Sequence, residues 1–519
     1  MLAAVTLVAC AADDSIDPSL ASRSETATAE LDSTNDAPEA VSTPTSTSAT
    51  VPAAPNTTST STSTSTTEAP GSTILLTDNL GGETIGDPYY PDVGNTGYDV
   101  RSYDLDLKVD IEGRDTLSGV ATIDVVTTAA LDRLSFDLVE LEVKSVTIDG
   151  TEVPHTQTDD KLRLAPPTTL EPNAEITIAV TYAGTPISMP SQTRIGPIGW
   201  FDIGSTASVA IGEPTGARTW FPVNDHPSDK ATYTVTIDVA EPLIGVSNGE
   251  LVRSEAANGR RTTRWEMRQP MASYLATVSI GDYALISSDP SATTGVAVED
   301  AVAQRLATIF EGDFEQTDEM IDIFSELFGP YPFDEYGVLI VDAEFGFALE
   351  TQGRSLYSES LIDGDGSIER IVAHELAHQW FGNHVSPSTW QDIWLNEGFA
   401  SYAEDLWLEF GRGRDVVQLQ TRLLGRASDA LSPAPRDPGP EGLFAPSVYR
   451  RGGITLHALR LEVGDAVFFD ILQTWLLRFG GGVASTEDFI SLSEERSGNN
   501  LRGFFDAWLS DGPLPALPS

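Results

Sequence analysis

Hydrophobic and polar residues change their spacing twice along this chain. From about residue 98 the period is two. Leu105, Leu107, Val109 and Ile111 alternate with Asp106, Lys108 and Asp110, the pattern of a strand with one wet face. Similar runs at 121–126, 176–182 and 233–239 are separated by Gly, Pro and Asp turns, so 98–285 is expected to form an antiparallel, sheet-rich domain. After Ser287-Ser288-Asp289-Pro290 the spacing becomes helical. It predicts a helix within 302–328, a buried strand at Val338-Leu339-Ile340-Val341, and helices at 367–382, 396–410, 453–461 and 486–495. No internal repeat is present, and no apolar run reaches the roughly 18–20 residues of a membrane span.

The amino-terminal stretch follows neither period. Met1 to Cys10 is an apolar run that stops at the only cysteine, and Leu7-Val8-Ala9-Cys10 resembles the lipobox of bacterial lipoproteins, where the cysteine is lipidated after cleavage. Residues 11–86 are rich in Ser, Thr, Ala and Pro and are expected to be disordered, because they cannot bury enough apolar area to offset the entropy of ordering. As a flexible coil they would span roughly 50 Å, a stalk between a lipid and a folded body. Charge then narrows the partners. The formal net charge of the 519 residues is -48 and the pI about 4.2, which disfavours phosphate backbones and anionic lipid surfaces. Residues 1–80 hold 10 acids and 1 base, so most of the acidity belongs to the folded part. A single cysteine excludes an intrachain disulfide and a cysteine-based zinc site.

The strongest chemical signal is His374-Glu375-Leu376-Ala377-His378. Two histidines four apart on a helix lie one turn apart on the same face, close enough to share one zinc ion. Glu375 projects about 100° around the helix from His374, where it can take a proton from a water that the metal activates. Catalytic zinc needs three protein ligands and one open position. Glu397 opens the next helix with 18 residues between it and His378, and an antiparallel return would bring its carboxylate onto the metal. His384 is the rival, at the interval of a metzincin third histidine. Metzincins require Gly three residues after the second histidine, where this chain has Phe381, with Gly382 one place late. They also need a methionine turn beneath the metal, and the last of the five methionines is Met320. Glu404, two turns beyond Glu397 on the same face, either orients a ligand imidazole or faces solvent. Arg451 is left undecided, Trp380, Trp390 and Trp394 are read as packing residues, and His155, His226 and His457 receive no role.

Together these segments resemble the zinc signature of the membrane alanyl aminopeptidase family, peptidase family M1. Gly346-Phe347-Ala348-Leu349-Glu350-Thr351 is similar to its GAMEN segment, and Glu213-Pro214-Thr215-Gly216-Ala217-Arg218 with Trp220-Phe221-Pro222 and Asp225 is similar to a motif of its amino-terminal domain. Val448-Tyr449-Arg450-Arg451-Gly452-Gly453 resembles the segment carrying its catalytic tyrosine, and 98–107 its opening strand. The resemblance implies an α+β multi-domain fold: an N-terminal antiparallel β-rich, saddle-like domain, then a thermolysin-like, mostly α-helical zinc catalytic domain. The expected division is a signal segment at 1–10, a linker at 11–86, a β-rich domain at 87–288 and a catalytic domain at 289–519. Because 508–513 looks like the end of that domain, the family's large helical carboxy-terminal domain is expected to be absent and the cleft more open.

The resemblance also implies roles. One Zn2+ per chain would be held by His374, His378 and Glu397, with Glu375 as base and the Tyr449 hydroxyl as the second donor to the oxyanion. Glu350 and Glu213 would hold the ammonium of a peptide with a free N-terminus, and Ala348, on the strand leading into Glu350, would contact extended substrate. The implied function is a zinc aminopeptidase outside the cytoplasm, either a membrane lipoprotein tethered through Cys10 or a secreted protein. An endopeptidase, another zinc hydrolase with an open cleft, and a non-catalytic binding protein on a peptidase fold are the alternatives.

Overall fold

The computed structural model describes residues 81–111, 114–428 and 432–518. Cys10 and the linker as far as residue 80 lie outside the described residues. Residues 81–86, placed in the linker by composition, pack on the folded body. Gly81 N–H donates to the Arg133 carbonyl at 3.0 Å, and Glu83 takes a forked pair of hydrogen bonds from Arg163. Main-chain pairing and a charge pair hold them there, neither of which composition registers.

The first half is built on an eight-stranded sheet in the order Glu250–Ala257, Arg260–Ala272, Lys230–Ala240, Tyr98–Asp110, Thr116–Thr127, Glu175–Gly184, Glu142–Ile148, Thr151–Glu152. Leu105, Leu107 and Val109 point into the core, as the alternation predicts. One pairing departs from the expected antiparallel arrangement. Tyr98–Asp110 runs parallel to Lys230–Ala240, with Leu105 opposite Val235. Parallel neighbours need a long crossover, and the intervening chain supplies it by visiting other strands first. A five-stranded sheet packs against the first. Gly245 lies directly on Ile237, with no room for a side chain, and its carbonyl accepts from Trp265 Nε1 and Thr263 Oγ1.

The second half begins earlier than the expected boundary at 289. Strand Tyr283–Ser287 already belongs to its mixed sheet, antiparallel to Ala297–Ala303. That strand continues in parallel to Val338–Val341 and Ser355–Ser358, and Ala348–Leu349 closes the edge antiparallel. Residues 302 and 303 therefore end a strand rather than start a helix. The helices are α1 (Glu311–Phe314), α2 (Thr317–Phe328), α3 (Glu369–Ala377), α4 (Trp394–Phe410), α5 (Val416–Ser428), α6 (Pro446–Val463), α7 (Asp465–Phe479), α8 (Thr486–Ser497) and α9 (Arg502–Leu509). The expected helices correspond to α2, α3, α4, α6 and α8. Trp380, Trp390 and Trp394 are buried in the core, Trp380 edge-on to Phe324, Phe328 and Tyr331.

Two features of this half position side chains. Gly382 takes φ +120°, a conformation that a side chain disfavours, as the chain turns away from α3. Further on, α4 and α6 cross at a pair of glycines. A Cβ on Gly398 would stand 2.9 Å from the Gly452 Cα, and one on Gly452 would stand 2.8 Å from the Gly398 Cα, so the backbones touch.

Candidate active site

α3 carries His374, with His378 at its C-cap, and α4 returns with Glu397 in its first turn. Each imidazole is fixed from behind. His374 Nδ1 donates to Glu404 Oε1 at 3.0 Å, and His378 Nδ1 donates to the Phe381 carbonyl at 3.1 Å. That tautomer turns both Nε2 lone pairs inward, toward Glu397 Oε2 at 3.3 and 3.6 Å. One ligand atom from each of the three residues lies within 4.8 Å of the other two, and all three residues are buried. Two neutral imidazoles and a carboxylate, converging in a dry site and oriented from behind, fit a zinc ion with an open position. Glu404 is buried, accepts a hydrogen bond from Arg370, and has Arg426 at 3.7 Å. It orients an imidazole rather than facing solvent.

The electrostatics follow from burial and pairing. Burial opposes ionisation of Glu397, but the adjacent His378 and His374 outweigh it and hold the carboxyl at about 2. Burial alone would lower His374, yet its hydrogen bonds to Glu397 and Glu404 lift it to about 10 in the metal-free site. Burial pushes Glu375 up to about 8, against the pull of the two imidazoles.

These groups open onto one cavity lined by Ile195, Glu213, Gly346, Phe347, Ala348, Leu349, Glu350, His374, Glu375, His378, Glu397, Phe444 and Tyr449. The sequence-predicted residues of the body thus converge, apart from Glu404 behind His374 and the rival ligand His384. The ring of His384 faces Phe333 and stands outside the ligand trio. Tyr449 stacks near His374, ring centres 5.9 Å apart and 18° from parallel. Glu213 and Glu350 are buried and share a cluster with Glu397 in which one carboxylate oxygen each lies within 4.8 Å of the others; Glu213 Oε1 and Glu350 Oε1 find no hydrogen-bond partner among the described residues. Burial raises both carboxyls. The Glu350 charge adds to the rise at Glu213.

Several supporting residues escaped the sequence reading. Gln379 Nε2 and Asn383 Nδ2 both donate to the Glu350 carbonyl, at 3.2 and 2.6 Å, tying that segment to the end of α3. Arg370 precedes His374 by one helical turn, a spacing that could have revealed it. Phe444 and Ile195 come from loops and carry no periodic signal. Arg451, undecided from sequence, donates to the carbonyls of Trp508, Gly512 and Ala507 and so anchors the end of the chain beside α6.

Comparison with known proteins gives a consistent picture. Residues 313–508 match the peptidase family M1 domain, and residues 100–275 match the peptidase M1 N-terminal domain. Aminopeptidase M1-A of Oryza sativa subsp. japonica is 26% identical over 457 residues, 80% of this chain and 51% of that protein. Aminopeptidase B of Mus musculus is 28% identical over 326 residues, 58% of this chain and 49% of that protein. The chain thus spans about half the length of these curated relatives. An M1 zinc metallopeptidase of Deinococcus radiodurans superposes with a TM-score of 0.78 at 34% identity, covering 84% of this chain and 99% of its own. A mutant of the same enzyme, solved with a Tyr-Ser-Ala substrate, superposes equally well at 33% identity. With both halves matched in order and a solved M1 zinc metallopeptidase 34% identical over 84% of this chain, the chain belongs to peptidase family M1.

Proposed function

We propose that this protein is a zinc-dependent aminopeptidase that binds one zinc ion through His374, His378 and Glu397 and removes N-terminal residues from peptides. The observation that carries the reading is the Glu213–Glu350 pair. Two buried carboxylates, each with an oxygen unpartnered among the described residues, face the same cavity as the metal trio. Such a pair is costly to bury unless a cation completes it, and a peptide's terminal ammonium has the charge and the donors to do so.

Zinc held by His374, His378 and Glu397 would supply a Lewis acid for activating water. Glu375 removes the proton of the attacking water and passes it to the leaving amine. The Tyr449 hydroxyl donates to the oxygen on which charge develops. Glu213 and Glu350 hold the ammonium, which fixes the first peptide bond in register. The edge strand Ala348–Leu349 offers main-chain groups to an extended substrate.

Two assays test this. Hydrolysis of a free aminoacyl-arylamide should exceed that of its N-acetylated counterpart by at least ~100-fold, and preference for the blocked compound would overturn the exopeptidase reading. Glu375→Gln should retain one zinc per chain and lose activity by at least ~100-fold. Full activity in that variant would refute the assigned base.

The proposed location is extracytoplasmic, tethered by a lipid on Cys10 or secreted. The reading rests on Leu7-Val8-Ala9-Cys10 and the Ser/Thr-rich stretch behind it. No helix among the described residues is long and apolar enough to cross a membrane. Cys10→Ser should move the enzyme from the membrane fraction to the soluble fraction, and unchanged partitioning would dismiss the tether.

A further inference from the structure

We infer that Tyr274 is a positioning residue that sets the distance between the ammonium-holding carboxylates and the metal trio, and so confines cleavage to the bond after an α-amino acid. The inference rests on the aminopeptidase reading, which supplies the two ends of that distance.

Tyr274 belongs to the sheet-rich half, is buried, and stands behind the cavity rather than in its lining. On one side its main chain lies against Gly212, the residue before Glu213. A Cβ on Gly212 would stand 2.3 Å from the Tyr274 carbonyl oxygen, so the backbones are in contact and a shift of Tyr274 is passed to Glu213. On the other side its hydroxyl donates to the Gly382 carbonyl at 2.9 Å and accepts from Asn396 Nδ2 at 3.2 Å. Gly382 follows Phe381, whose carbonyl holds His378 Nδ1, and a Cβ on Gly382 would stand 3.3 Å from that same nitrogen. Asn396 precedes Glu397 in the first turn of α4. The ring is fixed between these ends, edge-on to the buried Trp390 with centres 5.1 Å apart. One rigid side chain thus joins the Glu213 segment, the turn that orients His378 and the helix start that presents Glu397.

That distance decides which amine is accepted. In an α-aminoacyl group one carbon separates the ammonium nitrogen from the scissile carbonyl carbon, and in a β-aminoacyl group two do. Carboxylates and metal held at a fixed spacing suit the first and misplace the carbonyl of the second. Tyr274→Phe keeps the ring and the main-chain contacts and removes both hydrogen bonds of the hydroxyl. The Gly382 carbonyl still accepts from Ser386 Oγ at 2.6 Å, so the variant should fold.

The test is kcat/KM of the zinc-loaded full chain on alanyl-, β-alanyl- and N-acetylalanyl-arylamides, the first two being isomers. Wild type should prefer alanyl to β-alanyl by at least ~100-fold. Tyr274→Phe should lower that ratio by at least ~10-fold, with zinc content and circular dichroism spectrum retained. A residue that serves only stability would lower both rates together. An unchanged ratio, or a wild type indifferent to the two isomers, would therefore overturn the inference while refusal of the acetylated compound leaves the aminopeptidase reading standing. Turnover of the acetylated compound as fast as the free one would instead remove the reading beneath it. If Tyr274→Phe does not fold, Asn396→Ala, which takes away one partner of the hydroxyl, should lower the isomer ratio by at least ~3-fold, and no change there would overturn the inference equally.

Discussion

Glu404 shows how one side chain can be responsible for another. Burial opposes its ionisation, but Arg370, His374 and Arg426 outweigh that and hold the carboxyl well below the usual range. The permanent anion keeps the proton on His374 Nδ1 and leaves Nε2 free for metal. Glu404→Ala should therefore weaken zinc binding by roughly 10–100-fold, measured by competition with a chelator, while the circular dichroism spectrum is retained. Unchanged zinc affinity would show that the carboxylate has no part in orienting the ring. The helical period made this residue legible, since Glu404 lies two turns from Glu397 on one face. It did not reveal Asn383 or Gln379. Their partner is a carbonyl on a different element, and a main-chain acceptor leaves no trace in residue types.

At the scale of elements, the α4–α6 crossing decides how near Tyr449 can come to Glu397. Glycine at both 398 and 452 lets the two helix backbones touch, so the separation of the helices that carry Glu397 and Tyr449 is set by main chain rather than side chains. Gly452→Ala should cost roughly 1–3 kcal/mol of stability through overpacking. It should also lower kcat by at least ~10-fold with zinc retained, because a displacement near 1 Å is enough to misplace a reacting group. A variant as active as wild type would mean that the crossing has slack. The legibility of the elements follows the same physics. Strong helical periods located α3, α4 and α6. The apolar run through Val302 has a spacing that a short buried strand and a helix segment share, and the chain adopts the strand. The alternation in 98–110 gave the face of the strand but not its partner, so the parallel pairing with Lys230–Ala240 was invisible.

For the whole molecule, the two halves are tied by hydrogen bonds that cross between them. Lys230, on the large sheet, donates to the carbonyls of Asn383 at 2.7 Å and His384 at 3.1 Å. Asp87 accepts from Trp390 N–H at 2.9 Å, and the Tyr274 hydroxyl donates to the Gly382 carbonyl at 2.9 Å. The body also resists ionisation at several buried acids. Burial pushes Asp225, Asp229 and Glu335 up to about 7 each. A carboxyl whose folded value is raised contributes stability that is complete below its unfolded value near 4 and is lost as pH rises through about 7. Burial raises Asp405 to about 7 as well, while it lowers Lys230 to about 7 and His384 and His457 to about 4. These last three act in the opposite sense, Lys230 as pH falls toward 7 and the imidazoles only as it falls below their unfolded value near 6.5. Moving from pH 8 to pH 6 should therefore raise Tm. Calorimetry across that interval checks it, and a falling Tm would contradict the assignment.

Glu213 belongs to the sheet-rich half and the metal trio to the helical half, so on the proposed aminopeptidase reading refusal of a capped peptide depends on two bodies staying in step. Turnover tolerates a slackened joint better than discrimination does, since only the latter needs both sides. The ratio of uncapped to capped cleavage is thus a label-free gauge of how firmly the halves are seated, and under mild denaturant selectivity would fade before hydrolysis stops.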